Sequence, residues 1–363
     1  MYIIKKIVFT IAFFTTGFIV RAQSNEQKAK EIGKAAVKLE DEGKPDEALP
    51  LLKQARELDP DNYVIPYEMA YCYEMKKDYK QGISVMRDAM KMKGARDDCY
   101  QMLGNLYDMN GDSVMALNTY SEGFKKYPGS GRLYLETGNV YFNRKQYVKA
   151  LPYYEKGIEA DPVYPSNYYR AAQIYTSSSE SMWGMIYGEI FMNLERNTGR
   201  TADVSKWLYD TYRENIVIHS KDSMEVHFCH NMVMEVDENT GKDGKEIRLP
   251  YNFMYEPLIL QALVSTEIIN MEALCSMRKN FIDMYYEHKF DTERPNVLFA
   301  YERTIEKAGY ADAYNHWILM KGDEEAFNKW QGAHQKKWDD FRSWFNNNQI
   351  KITKENAFVK SKA

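Results

Sequence analysis

The segment HFCH carries side chains that could bind a metal ion, namely His227, Cys229 and His230. Zinc prefers imidazole and thiolate ligands, and a structural zinc site takes four of them in a tetrahedron. The residues around the segment alternate as in a β-strand, where His227 and Cys229 would face one side and His230 the other. Two ligands on one face leave the site two ligands short. We therefore predict no metal site and interpret these residues as polar positions on a half-buried strand.

A stripe of ring side chains near the C-terminus could form a platform for an aromatic ligand. Its members recur at steps of three and four residues, which is the spacing of one helix face. They are Phe327, Trp330, His334, Trp338, Phe341 and Phe345. Because an apolar helix face usually packs against its own domain, we predict packing here, on a single helix that Asp323 caps.

Motifs of known catalytic chemistry are missing from the sequence. It has no glycine-rich phosphate loop, no G-x-S-x-G nucleophile elbow and no H-E-x-x-H metal motif. Acidic pairs such as Asp339 and Asp340 are adjacent, so their side chains leave a helix on different sides. We therefore predict no catalytic residues, no cofactor and no enzymatic activity. An enzyme or ligand-binding protein with its site in the C-terminal domain remains the alternative.

The composition limits the classes of protein to which the chain could belong. The chain has 363 residues, enough for two domains, and its formal net charge is −4 with 28% charged residues. This balance indicates neither a disordered chain nor a nucleic-acid-binding surface. We predict that the four cysteines are free and mostly buried, because their spacing is irregular and a chain this long can be stabilised by its core.

Small and turn-forming residues return every 34 positions through the first half of the chain. The turn positions are Pro60, Gly94, Pro128 and Pro162. Small residues lie twelve and twenty-four positions before each of them. They are Ala48, Gly82, Ala116 and Ala150, and Ala36, Ala70, Gly104 and Gly138.

This order of small and turn-forming residues resembles the tetratricopeptide repeat family, whose pattern is W-x2-L-G-x2-Y, A-x3-F and P. The resemblance covers about residues 29–178, although the first Trp is replaced by Ile32, Pro66, Tyr100, Tyr134 and Tyr168. It implies helix hairpins, A then B, in the register 29–62, 63–96, 97–130, 131–164 and 165–178. Helices A and B would touch where the side chain is Ala or Gly, and neighbouring hairpins would stack.

We therefore expect a mainly α fold, in which a superhelix of tetratricopeptide hairpins precedes a smaller helical domain that contains a β-hairpin. The predicted boundaries are residues 23–180 for about 4.5 repeats, 181–215 for capping helices, 216–350 for the α+β domain and 351–363 for a loose tail. The β-hairpin rests on alternating apolar residues after Ile216 and a glycine-containing turn at 238–246. The second half also resembles the C-terminal part of exported tetratricopeptide proteins of Gram-negative bacteria that carry no assigned activity.

Residues 1–22 have the pattern of a secretory signal peptide. Lys5 and Lys6 precede an apolar stretch from Ile7 to Val20, and Ala22 ends the pattern. This stretch is shorter than the roughly 20 residues that span a membrane. We expect cleavage before Gln23, export to the periplasm or cell envelope, and no transmembrane segment in the mature chain.

The family resemblance also implies a ligand groove on the concave side, lined by positions two, five, nine and twelve of each A helix. On this sequence the groove residues are Tyr67, Tyr71, Glu74, Asp98, Gln101, Asn105, Asp108, Arg132, Leu135, Asn139, Phe142, Tyr169, Gln173 and Thr176. They are rich in amides and tyrosines, which suit an extended peptide backbone.

Chaperone-binding members of the family clamp a C-terminal carboxylate with Lys and Asn on successive A helices. Here Asn105 fits one such position, but Glu136 replaces an Asn, and Gln101 and Leu135 are not basic. We therefore expect a non-catalytic scaffold or adaptor in the cell envelope that binds a protein or peptide segment, and no nucleic acid. A structural spacer with no ligand is a further alternative.

Overall fold

The described residues fold mainly into α-helices joined by short turns. The computed structural model describes residues 25–220, 223–230, 249–263 and 267–363, so the predicted signal peptide lies outside the described residues. The chain divides into unit 1, residues 1–143, and unit 2, residues 144–363. The expected mainly α fold is confirmed, whereas the predicted domain boundaries stay predictions.

Unit 1 consists of alternating A and B helices. In its described part these are α1 (residues 25–41), α2 (Pro45–Leu58), α3 (Val64–Met75), α4 (Tyr79–Ala89), α5 (Asp97–Met109), α6 (Ser113–Lys126) and α7 (Gly131–Phe142). Aspartates start two of the B helices, because the Asp78 and Asp112 side chains accept hydrogen bonds from the first-turn backbone. Gly111 before α6 has φ +87°, a conformation that favours glycine.

The hairpin contacts of unit 1 lie at the predicted small residues. Ala70 and Ala116 are fully buried. A Cβ atom at Gly82 would lie 3.5 Å from the backbone oxygen of Ala70, and one at Gly104 would overlap the Tyr120 ring. The predicted contact of Gly104 with the B helix of its own repeat is therefore confirmed.

Unit 2 continues with helices and one small sheet. Its first described helices are α8 (Tyr147–Ala160), α9 (Pro165–Tyr175), α10 (Ser181–Leu194) and α11 (Gly199–Asn215). After the sheet come α12 (Asn252–Ala262), α13 (Met271–Glu287), α14 (Phe290–Glu293), α15 (Val297–Lys307), α16 (Ala311–Leu319), α17 (Glu324–Ala333) and α18 (Gln335–Asn347). No helix among the described residues is long and apolar enough to cross a membrane.

Helix α10 is the centre of unit 2. Every residue from Ser181 to Asn193 is buried, as expected for a helix that is apolar on all sides. Gly184 lies against Thr176 next to α9, and Gly188 lies against Val204 of α11. The two glycines thus allow the close helix approach that their spacing predicts.

The sheet is an antiparallel hairpin of β1 (Ile216–Ser220) and β2 (Ser223–Val226). Ile216 lies opposite Val226 and Ile218 opposite Met224. Ser220 lies opposite Ser223, so the two strands are closer together in the sequence than predicted. The predicted turn at 238–246 lies outside the described residues.

Two predictions about the C-terminal region are wrong. The predicted single helix after Asp323 is two helices, α17 and α18, which meet at His334 beside the weak helix former Gly332. The tail predicted to be loose is packed, with Phe358 and Val359 only 5% and 0% exposed. The apolar residues Phe358 and Val359 interrupt an otherwise polar segment. The tail is packed because the Phe358 ring contacts aromatic rings of unit 2.

Candidate functional site

The A helices of unit 1 lie side by side, since α3 contacts α5 and α5 contacts α7. We call the set of predicted groove residues on these three helices the A-helix face. Its members are Tyr67, Tyr71, Glu74, Asp98, Gln101, Asn105, Asp108, Arg132, Leu135, Asn139 and Phe142. The side chain of Leu135 is buried and that of Tyr71 is exposed, while the other members are half-buried.

Two tyrosines of α3 lie at different depths on the A-helix face. Tyr71 is 40% exposed, which is unusual for a large ring and makes it available to a ligand. Tyr67 is half-buried, and burial followed by the charge of Asp98 raises the pKa of its phenol to about 12. The Tyr67 hydroxyl is therefore a neutral donor at physiological pH.

Glu136 connects neighbouring helices on this face. Its Oε1 accepts a hydrogen bond of 2.6 Å from Nε2 of Gln101 on α5, and its Oε2 accepts one of 3.0 Å from Nδ2 of Asn139. Sequence reasoning counted Glu136 only as a departure from the carboxylate clamp. The structure makes it the residue that orients two predicted ligand-binding amides.

The amide of Asn105 is oriented by the packing beneath it. The Tyr120 hydroxyl on α6 donates a hydrogen bond of 2.6 Å to Oδ1 of Asn105. Within the described part of the chain, Nδ2 of Asn105 makes no hydrogen bond. The atom that Asn105 can offer to a ligand is therefore a donor, which suits a backbone carbonyl group.

Carboxylates crowd this part of unit 1. Burial and then the charge of Glu136 raise the pKa of Glu74. Glu68, also on α3, has its pKa raised to about 7, first by burial and then by Glu40. The Glu40 carboxylate itself accepts a hydrogen bond of 3.2 Å from the thiol of Cys72. Burial disfavours the charged form of these carboxyls, and their carboxylate neighbours add to the effect.

Predicted groove residues of unit 2 lie on α9 or directly after it. The ring of Tyr169 packs against Phe191 and Trp207, with centroid distances of 5.2 and 5.3 Å. The side-chain oxygen of Gln173 accepts a hydrogen bond of 2.9 Å from Arg170. Tyr169 thus has a packing role, and Thr176 bonds back to the carbonyl of Ala172 at 2.9 Å.

The HFCH segment follows β2 as irregular chain, so the predicted strand alternation does not apply to it. His227 contacts Glu225 at 2.9 Å and stacks on His230 with 5.9 Å between ring centroids. Burial and then the charge of Glu256 raise the pKa of Cys229 to about 12. The described residues contain no group of three or more His, Cys, Asp or Glu that could hold a metal ion.

The aromatic stripe packs within unit 2. Trp338, Phe341 and Phe345 are buried. The break at His334 turns α17 so that the rings of Trp330 and Trp338 meet edge to face at 6.3 Å. Trp330 also stacks on the buried His316, with 4.1 Å between centroids. The predicted packing role is confirmed, although on two helices instead of one.

Unit 2 contains a buried cluster of charged side chains, and no sequence motif predicts it. Arg278 of α13 donates to both carboxylate oxygens of Glu189, at 2.5 and 2.8 Å, and to Glu302 at 3.2 Å. Its remaining donors reach Tyr212 and Asn315. Burial opposes the charge of Arg278, but Glu189, Tyr212 and Glu302 outweigh it and raise the pKa of the guanidinium well above its usual value.

A small cavity adjoins this cluster. It measures about 20 Å³, which is room for one water molecule. Glu189, Arg278 and Glu302 line it together with Met and Phe side chains. Since all five N–H groups of Arg278 are already paired, the cluster offers no free cation to an anionic ligand. Its arrangement suits the joining of α10, α13 and α15.

The comparisons with known proteins find tetratricopeptide repeats in the first half of the chain. Two family models, both described as tetratricopeptide repeat, match residues 39–106 and 102–165. No curated protein matches the chain.

Solved structures similar to the chain have low identity. MamA from Desulfovibrio magneticus RS-1 is 19% identical, with 47% of this chain and 97% of that chain covered and a TM-score of 0.36. PilF from Pseudomonas aeruginosa is 16% identical, covering 53% and 87%, with a TM-score of 0.43. PilW, a type IV pilus biogenesis factor, is 15% identical, covering 51% and 84%, with a TM-score of 0.41. These scores support no functional assignment.

Proposed function

We propose, on the premise that residues 39–165 of this chain are tetratricopeptide repeats, that the protein is a non-catalytic scaffold whose A-helix face binds an extended segment of a protein partner. The observation that carries the proposal is the exposed ring of Tyr71 on the same face as the amides of Gln101, Asn105 and Asn139. A rigid aromatic anchor beside fixed amides is typical of peptide-binding surfaces.

The amides give this surface its donors. Nδ2 of Asn105 is free to donate to a backbone carbonyl group of the partner, because its own oxygen already binds Tyr120. The Glu136 carboxylate accepts hydrogen bonds from the side-chain amides of Gln101 and Asn139 and so holds them in place. Amides that are held before binding lose less conformational entropy when a ligand arrives.

The charge of helices α3, α5 and α7 favours a partner segment that carries lysine or arginine. Carboxylates on α3, α5 and α7 outnumber the one basic groove residue, Arg132. They are Glu68, Glu74, Asp98, Asp108 and Glu136. Positive charge on the partner would speed association and favour the ionised carboxylates of Glu74 and Glu68, whose pKa values are raised by burial and then by neighbouring carboxylates.

The proposed location is the cell envelope, after export. It rests on the signal-peptide pattern of residues 1–22, in which Lys5 and Lys6 precede the apolar stretch. A scaffold in this compartment would meet its partner after both chains have crossed the inner membrane.

The alternative of an enzyme in unit 2 has less support. The best-enclosed polar cluster there, around Arg278, is satisfied by its own hydrogen bonds and adjoins room for a single water molecule. The third alternative, a spacer, predicts that no partner depends on the A-helix face.

Affinity capture from an envelope extract tests the scaffold hypothesis against the enzyme and spacer alternatives. We expect Tyr71→Ala to lose a partner that the parent protein captures, with a loss of about 2 kcal/mol of binding free energy, the usual size for a central anchor. Lys125→Ala, an exposed position on the B helix α6, is the matched control. Equal capture by both variants, with unchanged circular dichroism, would overturn the proposal.

A further inference from the structure

The last residues of the chain occupy a site on unit 2 as a ligand would. Ala357, Phe358 and Val359 are buried at 6%, 5% and 0% exposure, and Lys360–Lys362 forms one 3-10 turn. Between α18 and this point the chain is irregular, from residue 348 to 359. We call residues 357–362 the tail segment. Its contacts with α8, α9 and α10 are all non-covalent.

An aromatic ring anchors the tail segment. The Phe358 ring stacks on Trp183 of α10, with 5.9 Å between centroids and 29° between planes. It also contacts Tyr251, at 5.1 Å. Trp183 and Tyr251 are only 5% and 3% exposed. A buried aromatic anchor of this kind carries much of the energy in peptide recognition.

Backbone and charge contacts fix the register beyond the anchor. The backbone N–H of Lys360 donates to the Tyr187 hydroxyl at 2.8 Å, and Tyr187 donates to Oε1 of Glu155 at 3.1 Å. Nζ of Lys360 lies 2.7 Å from both carboxylate oxygens of Glu180. Nζ of Lys362 lies 3.4 Å from Glu159. Three carboxylates thus surround the two lysines.

The arrangement has an apolar centre and a charged rim, like an interface between separate chains. We propose that this surface of α8–α10 is a binding site for an extended segment with Phe followed two and four residues later by Lys, and that the chain's own C-terminus is its resident ligand. The occupant in trans is the same segment of a second copy of this chain, which carries every matching group.

This site lies within unit 2, and none of the residues named here as contacts of the tail segment is a predicted groove residue. It therefore stands whether or not the proposed function is correct. Tethering gives the resident tail a local concentration in the millimolar range, so a segment in trans competes only when the tail is weakened or the free segment is abundant.

The first test uses the full chain with Phe358→Ala and Lys360→Glu, which weaken the resident tail but leave Trp183, Tyr187 and Glu180 in place. The probe is a fluorescent peptide of residues 357–363, measured by anisotropy. We expect it to bind this variant at least about tenfold more tightly than the parent, because the parent's tail competes. A peptide with Ala in place of Phe358 is the control and should not bind. No binding of the natural peptide to the folded variant overturns the proposal.

The second test uses the parent chain, so it does not depend on the folding of a variant. Hydrogen exchange at the Lys360 amide, which is bonded to Tyr187, reports release of the tail. An excess of the unlabelled peptide should raise that exchange rate by displacing the tail, and the Phe358→Ala peptide should leave it unchanged. If the hydrogen-exchange rate of the Lys360 amide stays constant up to millimolar natural peptide, the peptide does not displace the tail and the proposal is wrong.

Discussion

The ring of Tyr120 covers Gly104 so closely that a Cβ atom at Gly104 would lie 2.5 Å from ring atom Cζ. The same tyrosine donates its hydroxyl to Asn105, the next residue along α5. One buried side chain therefore closes the α5–α6 hairpin and orients an amide of the A-helix face. Packing and proposed binding are coupled at this point.

Enlarging Gly104 should force α5 and α6 apart. We expect Gly104→Leu to lower the free energy of unfolding by about 1–3 kcal/mol, the usual cost of overpacking a filled core. Urea denaturation of parent and variant measures the difference. Gly33→Ala is the matched control: nothing lies within 4 Å of the new Cβ, and the change should stabilise helix α1 by about 0.5–1 kcal/mol. An unchanged midpoint for Gly104→Leu would show that the hairpin contact is placed wrongly.

The stability of the protein should depend on pH through Glu68. Its pKa is raised from 4.5 to about 7 in the folded chain, by burial and then by Glu40. The folded state therefore keeps a proton that the unfolded state has lost, and stability falls as pH rises from about 4.5 to about 7. Glu68→Gln removes this contribution.

The measurement is a series of urea denaturations at pH values across that window. We expect the stability of Glu68→Gln to fall less steeply with rising pH than that of the parent. Glu122→Gln, an exposed position on α6, should follow the parent curve. Parallel stability curves for Glu68→Gln and the parent would show that Glu68 is not the source of this pH dependence.

Arg278 should be far more important to stability than a surface arginine. Replacing it with Met would leave Glu189 and Glu302 buried without their cation, at a cost of about 3–5 kcal/mol. Arg303, whose pairs with Asp283 and Glu306 are partly exposed, is the control and should cost at most about 1 kcal/mol when changed to Met. Thermal unfolding compares the two. Equal losses would mean that the Arg278 cluster is solvated.

Much of unit 1 can be predicted from the sequence because its fold is local and periodic. Ala70, Gly104 and Ala116 recur at fixed positions since each hairpin repeats the same close contact. The groove positions follow from that register. The bridging role of Glu136 could not be predicted, because it depends on the side-chain distance between two repeats.

Unit 2 is harder to predict because its key contacts join residues far apart in the sequence. Glu189, Arg278 and Glu302 have no fixed spacing, and each alone resembles a surface charge. The tail segment was missed for a related reason: two apolar residues, Phe358 and Val359, give no periodicity. Only the assembled fold provides the ring of Trp183 that receives them.

The export proposal predicts a defined mature N-terminus. Protein purified from envelope fractions should begin at Gln23, after Ala22. N-terminal sequencing or intact-mass measurement determines this directly. Recovery of the chain in the cytoplasm with residues 1–22 still attached would refute the location.

The most direct test of the central claim is site-specific photo-crosslinking from the A-helix face. A photoreactive phenylalanine analogue replaces Tyr71 in one variant and Lys125 in the other, and crosslinked peptides are sequenced by mass spectrometry. The account predicts that position 71 crosslinks to one recurrent partner segment, extended and bearing Lys or Arg, and that position 125 does not. Failure of position 71 to crosslink any partner, or the same products from both positions, would contradict it.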